Sequence, residues 1–172
     1  NMFSGGALER MSLIALGVQM GERVAVWAPN VYEWIIAASA IHMVGGVLVP
    51  INTRMKGTEA YDILERSSVR VLFTIGDFLG CYYPDMLNGK RASSLQHIVV
   101  LKQAPKNAGE LGWDEFMAKG TADNAAEVTR REAALGADSM SDLMFTSGTT
   151  GKPKGVKLGH AASVRTIHEW AN

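Results

Sequence analysis

Short apolar runs alternate with amphipathic stretches along this chain, and the two have different periods. ALERMSLIALG, residues 7–17, places Leu8, Met11, Leu13, Ile14 and Leu16 mostly on one helical face, and Gly17 suits the helix exit. ERVAVWAP follows with a β-rich run over 23–27 that ends before Pro29. Asn30 is a good N-cap for a helix over 31–43, apolar almost all round and therefore expected to be deeply buried. GVLVPI (46–51) reads as a second strand. Thr58 is positioned to cap a helix running through Ser67, with Ala60, Ile63 and Leu64 facing the core. VRVLFTIG (69–76), LQHIVVL (95–101) and DLMFTS (142–147) read as the third, fourth and fifth strands.

Strands alternating with helices at this spacing imply right-handed βαβ units. The expected fold is α/β, a largely parallel sheet with helices on both faces. Residues 102–136 differ: rich in Ala, Lys, Asn, Gly and Glu, they suggest an exposed excursion with short helices around Trp113–Met117 and Glu127–Ala134. No repeat or linker divides the chain, so one domain, or part of one, is expected. The most membrane-like stretch, WIIAASAIHMVGGVLVP (34–50), contains His42 and Gly45-Gly46 and stops at Pro50. It falls short of the roughly 20 apolar residues a span requires, so no transmembrane segment is expected.

Composition narrows the picture little. Of 172 residues, 47% are hydrophobic and 20% charged, as in ordinary globular proteins. Lys+Arg and Asp+Glu balance at 17 each, which gives no reason to expect a nucleic-acid partner. The single cysteine, Cys81, cannot form an internal disulfide. It reads as a half-buried structural thiol in a reducing compartment, and a cytoplasmic location is expected. Residues 1–20 lack the pattern of a secretory signal. The first residue is Asn1, and the last lies in HAASVRTIHEWAN, which reads as a helix with no stop signal, so a piece of a longer protein is expected.

The chemistry concentrates in FTSGTTGKPKGV, residues 145–156. Ten consecutive positions hold four hydroxyls (Thr146, Ser147, Thr149, Thr150), three glycines (Gly148, Gly151, Gly155), Pro153 and two lysines. A solvated linker could share this composition but would not require this order. The segment follows a strand, so it emerges at the carboxyl edge where open α/β sheets bind ligands. Glycines admit close backbone approach, exposed amides form anion nests, hydroxyls add donors, and Lys154 supplies a point charge for phosphate. A P-loop is excluded by spacing. It has four residues between its Gly and the Gly-Lys, whereas two separate Gly148 from Gly151, and Pro153 follows Lys152. GVKL beyond it looks extended.

FTSGTTGKPKGV resembles the phosphate-binding signature of the adenylate-forming superfamily, which comprises acyl-CoA synthetases, luciferases and peptide-synthetase adenylation domains. Residues 21–64 resemble the first βαβ segment of the acyl-CoA synthetase branch, and VRVLFT its next strand. The likeness is weakest from about 78 to 136. PINTR (50–54) favours a CoA ligase over a peptide-synthetase domain. WAPN, PINTR and FTSGTTG look closest to bacterial ligases of fatty acids or bulkier cycloaliphatic acids. Gly159 departs from the family, where Ser or Thr often precedes the histidine.

The resemblance implies that residues 1–172 form part of the large N-terminal AMP-binding domain, without the C-terminal lysine domain. It implies activation of a carboxylic acid by ATP and Mg²⁺ to an acyl-adenylate, then transfer to coenzyme A. A carrier-protein thiol as acceptor, or a non-catalytic phosphate-binding module, remain the alternatives. Thr146, Ser147, Gly148, Thr149, Thr150, Gly151 and Lys154 would contact the ATP phosphates. The chain alone is expected to be inactive, and no catalytic residue is identified within it. His160 either caps or orients the motif or starts a surface helix. His42 reads as a satisfied core histidine, and His97 and His168 lack metal-ligand spacing, so no protein metal site is assigned. Trp27, Trp34, Trp113 and Trp170 read as packing residues.

Overall fold

The computed structural model describes residues 2–146 and 153–160. Along the chain run α1 (Met2–Ala15), β1 (Arg23–Trp27), α2 (Tyr32–Met43), β2 (Val47–Pro50), α3 (Gly57–Arg66) and β3 (Val69–Ile75). A two-strand ribbon follows, β4 (Asp77–Phe78) and β5 (Cys81–Tyr82), then β6 (His97–Leu101), β7 (Glu110–Gly112) and α4 (Trp113–Met117). The described residues end with α5 (Ala125–Ala134), β8 (Met140–Thr146) and β9 (Lys154–Gly159). Seven strands form one sheet in the order β7-β6-β3-β1-β2-β8-β9, parallel throughout except for the antiparallel pair β8–β9.

The order follows from burial. Val24, Ala25, Val26 and Trp27 in β1 and Val71, Leu72 and Phe73 in β3 are fully buried, so side chains on both sheet faces need cover. From β1 the chain crosses through α2 to β2 on one side, then returns through α3 to β3 on the other. Right-handed crossovers in opposite directions put α2 and α3 on opposite faces. α1, α4 and α5 pack together with α2 as one layer, while α3 packs against a 3-10 turn at Tyr83–Leu87. Phe73 meets Phe116 edge-on at 5.0 Å, and Trp27 meets Tyr83 at 4.8 Å. Trp27, Trp34 and Trp113 are thus packing residues as expected, whereas Trp170 lies outside the described residues.

Several local expectations change. Asn30 does not cap α2: Val31 holds that position, and no side chain bonds the helix end. Nor is α2 buried all round, since its small residues Ala37, Ala38 and Ala40 face inward with Ile41, while Tyr32 and Ile35 are 71% and 59% exposed. α3 starts one residue before Thr58. The Lys56 amide donates to the Glu59 carboxylate at 2.7 Å, and Gly57 comes so close to the Met86 carbonyl that a Cβ would lie 1.7 Å from it. The predicted fourth strand begins at His97, two residues late. Cys81 is exposed, because it sits on the small β4–β5 ribbon outside the main sheet. GVKL is extended as expected, within β9.

Residues 102–136 are less of an excursion than their composition suggested. Glu110–Gly112 adds a strand to the sheet edge, too short to show a period. Arg131, only 2% exposed, ties α5 to the helical layer. Its Nη1 donates to the Val18 carbonyl at 2.7 Å, and its Nε to Glu127 at 2.6 Å. Arg130 and Arg131 together hold the Glu127 carboxyl down at about 2. On α1, in the same layer, Glu9 is 2% exposed, and its Oε2 is buried without a partner; burial pushes its pKa up from 4.5.

Both groups lead to stability predictions. Arg131→Met strips the buried Val18 carbonyl of its donor and leaves Glu127 with Arg130 alone, and it should destabilise the fold by about 3 kcal/mol, read from urea unfolding. Wild-type stability under the same assay would contradict the anchoring role. Glu9 contributes in the opposite sense with pH. Its folded-state pKa is raised, so its contribution is fully present below pH 4.5 and is lost as pH rises through the folded value. Glu9→Gln should therefore flatten this loss, so that its stability relative to wild type improves from pH 4 to pH 8. A stability difference that stays constant over that range would contradict the assignment.

Candidate functional site

The expected phosphate loop is carried by the β8–β9 hairpin. Thr146 and Lys154 stand opposite each other as its last described pair, and Thr146 Oγ1 donates to the Lys154 carbonyl at 3.4 Å. Both residues are exposed. Ser147, Gly148, Thr149, Thr150 and Gly151 lie outside the described residues. Below the tip the hairpin shows period-two patterning. Leu143 and Phe145 pack on the core, whereas Met144 and its cross-strand partner Val156 are exposed. Extended backbone at 154–159 rules out a helix beginning at the loop's exit, so a helix dipole of the P-loop kind is not available there.

β8 runs parallel to β2, so its carboxyl end opens on the same edge as those of β1 and β2. A cleft of about 520 Å³ lies there. The turns after β1 (Ala28, Pro29, Asn30) and β2 (Asn52, Thr53) line it, with Trp34, Met55, Met144 and Phe145 as apolar walls. Asn52 is fixed from below, since Trp27 Nε1 donates to its carbonyl at 3.2 Å.

Side chains join the backbone in holding the hairpin. β8 pairs with β2 at a single position, Leu48 with Asp142. Beside that pair His42 Nε2 lies 3.2 Å from Asp142 Oδ1, and Ser141 Oγ donates to Asp142 Oδ2 at 2.5 Å. His160 follows β9 and sets its ring edge-on to His42 at 5.6 Å. Burial, then the neighbouring His42, lowers the His160 pKa, with Asp142 opposing, and His160 Nε2 is buried without a bonding partner. His42 is a satisfied histidine, but its partner is a carboxylate 100 residues away that no spacing signals. His160 is half-buried at the hairpin's root, where its amide donates to the Ser139 carbonyl at 3.0 Å, and the loop residues it was expected to cap or orient lie outside the described residues.

Arg66 reaches the other end of the hairpin. From the end of α3 its Nη1 donates to the Pro153 carbonyl at 2.8 Å, and its Cζ lies 5.4 Å from the centroid of the Phe145 ring. Nothing in the sequence around Arg66 marks this role. Among the described residues no three His, Cys, Asp or Glu side chains group as a metal site. No described helix is long and apolar enough to cross a membrane.

Comparison with known proteins agrees with this architecture. Residues 11–172 match the family described as AMP-binding enzyme. A (7a-methyl-1,5-dioxo-octahydro-1H-inden-4-yl)propanoyl:CoA ligase from Mycobacterium tuberculosis is 44% identical over 160 residues, covering 93% of this chain and 31% of the relative. A ligase of the same name from Rhodococcus jostii is 41% identical, covering 92% and 32%. Among solved structures, the anthranilate CoA ligase AuaEII in complex with anthranoyl-AMP superposes with a TM-score of 0.80 at 28% identity, covering 96% of this chain and 30% of that one. The chain belongs to the AMP-binding enzyme family, in its acyl-CoA ligase branch. It spans about a third of the length of these curated relatives.

Proposed function

We propose that this chain is the part of an ATP-dependent acyl-CoA ligase that grips the nucleotide's phosphates, within a larger AMP-binding domain. The supporting observation is the hairpin that pairs Thr146 with Lys154 at the carboxyl edge of a parallel sheet, in a chain of this family. In this reading a substrate carboxylate attacks the α-phosphorus, pyrophosphate leaves, and the thiol of coenzyme A then displaces AMP from the acyl carbon. Thr146, Ser147, Thr149 and Thr150 would supply hydroxyl donors, and Gly148 and Gly151 would let backbone amides approach. Lys154 would neutralise charge on the β- and γ-phosphates. The loop's contribution is positioning and charge stabilisation, not bond making. Mg²⁺ would accompany ATP, bridging its phosphate oxygens.

The two curated ligases carry a bulky bicyclic propanoyl group in their names, which supports a cycloaliphatic acid ahead of a plain fatty acid as substrate. An exposed, unpaired Cys81 suits a reducing, cytoplasmic setting.

Adenylation is reversible, so the complete protein should exchange labelled pyrophosphate into ATP when a bicyclic or alicyclic propanoate is present. Residues 1–172 alone should show neither this exchange nor micromolar ATP binding, because phosphate contacts in an open loop compete with water and salt. No exchange with any fatty, aromatic or alicyclic acid tried on folded protein would reject the reading. The rate of discharge to free coenzyme A against a carrier-protein thiol then identifies the acceptor.

Lysine substitutions address the clamp itself. In the complete protein Lys154→Met should cost about 2–4 kcal/mol of transition-state stabilisation, read from kcat/KM for exchange, by analogy with the loss of an oxyanion donor. Lys152→Met should cost far less. Equal losses would move the phosphate contact away from Lys154.

A further inference from the structure

Among its described residues, the hairpin touches the rest of the sheet through backbone at one point only, Leu48 with Asp142. Phe145 and Thr146 lie three and four residues beyond it, roughly 10–13 Å along an extended strand. β2 ends at Pro50, which that parallel register sets opposite Met144, so Phe145 and Thr146 lie past its end. Arg66, from α3, reaches this end of the hairpin. Its guanidinium carbon lies over the Phe145 ring in the outgoing strand, 5.4 Å from the centroid, and its Nη1 donates to the Pro153 carbonyl just before the returning strand. One side chain therefore touches both feet of the segment between Thr146 and Lys154. Asp62, one turn back on α3, accepts from the same Nη1 at 3.2 Å and aims the guanidinium. The helix beneath is rigidly seated, since Gly57 abuts the Met86 backbone and Ala60, Ile63 and Leu64 are buried.

We propose that Arg66 is a positioning residue for the nucleotide triphosphate. It sets the separation and tilt of the loop's two feet and so preorganises donors that would otherwise have to be ordered by ATP itself. This rests on the reading of residues 146–154 as the phosphate grip. The chemistry requires arginine. A planar guanidinium can stack on a ring and donate in its own plane at once, whereas an ammonium does one or the other. With its side chain 38% exposed the effect is moderate, a change in affinity and not an all-or-none loss.

The test uses pyrophosphate exchange by the complete protein. Arg66→Met should raise the KM for ATP about tenfold, the scale of one charge-assisted hydrogen bond and one exposed cation–π contact. The KM for the acid should change less than about twofold, and Tm should fall by roughly 4 °C or less. Arg66→Lys should recover only part of the ATP affinity. Phe145→Leu combined with Arg66→Met should be less than additive, because both act through one contact. An unchanged ATP KM in the folded Met variant overturns the proposal, as does an acid KM that rises in step with it, the mark of general loosening. Should the Met variant not fold, wild-type ATP KM in Arg66→Lys overturns it equally. If the wild-type protein shows no exchange at all, the phosphate-grip reading fails and this inference with it. Exchange by wild type with indifferent Arg66 variants removes the inference alone.

Discussion

A buried strand must have its amides and carbonyls paired on both sides, and the rest of this structure depends on that requirement at β1. Val24–Trp27 has no access to water, so β2 and β3 must flank it, both parallel. Parallel neighbours on either side require crossovers in opposite directions, which place helices on both faces. The same geometry brings the carboxyl ends of β1, β2 and β8 to one edge, where the turns and the cleft lie. The position of the candidate site is thus a consequence of hydrogen-bond satisfaction in the core, not of any residue in the site.

Attachment of the β8–β9 hairpin follows a different logic. It shares one backbone pairing with β2 and relies on side chains at its two ends. At the root His42, Ser141 and Asp142 form a half-buried polar cluster beside the His160 ring. At the tip Arg66 holds Pro153 and Phe145.

Family membership and geometry inform different levels. The match over residues 11–172 and the superposition on a CoA ligase establish the fold and the branch. They do so over about a third of the relatives' length, so adenine, ribose and acyl recognition belong to reasoning about the complete protein. What the described residues contribute directly is an exposed hydroxyl and an exposed lysine brought together across a hairpin, beside an open cleft.

Much of the fold was legible in the sequence, because period and burial are local in cause. β1 and α4 fall where the patterns placed them, as do the cores of β2, β3 and β8. The family was legible too, since the ordered run of hydroxyls, glycines and lysines after a strand is its signature, and residues 11–172 match that family. Capping was misread at Asn30 and Thr58: the N-caps are Val31, one residue after Asn30, and Lys56, two residues before Thr58, next to the tight Gly57–Met86 contact. Tertiary structure alone decided what depends on residues far apart in the chain. Arg131 buries itself on Val18, His42 meets Asp142, and Arg66 reaches across to Pro153. Each of these is a charged or polar group whose partner is set by how the layers stack. A one-dimensional pattern records which residues avoid water, but not which distant carbonyl or carboxylate a buried cation will find.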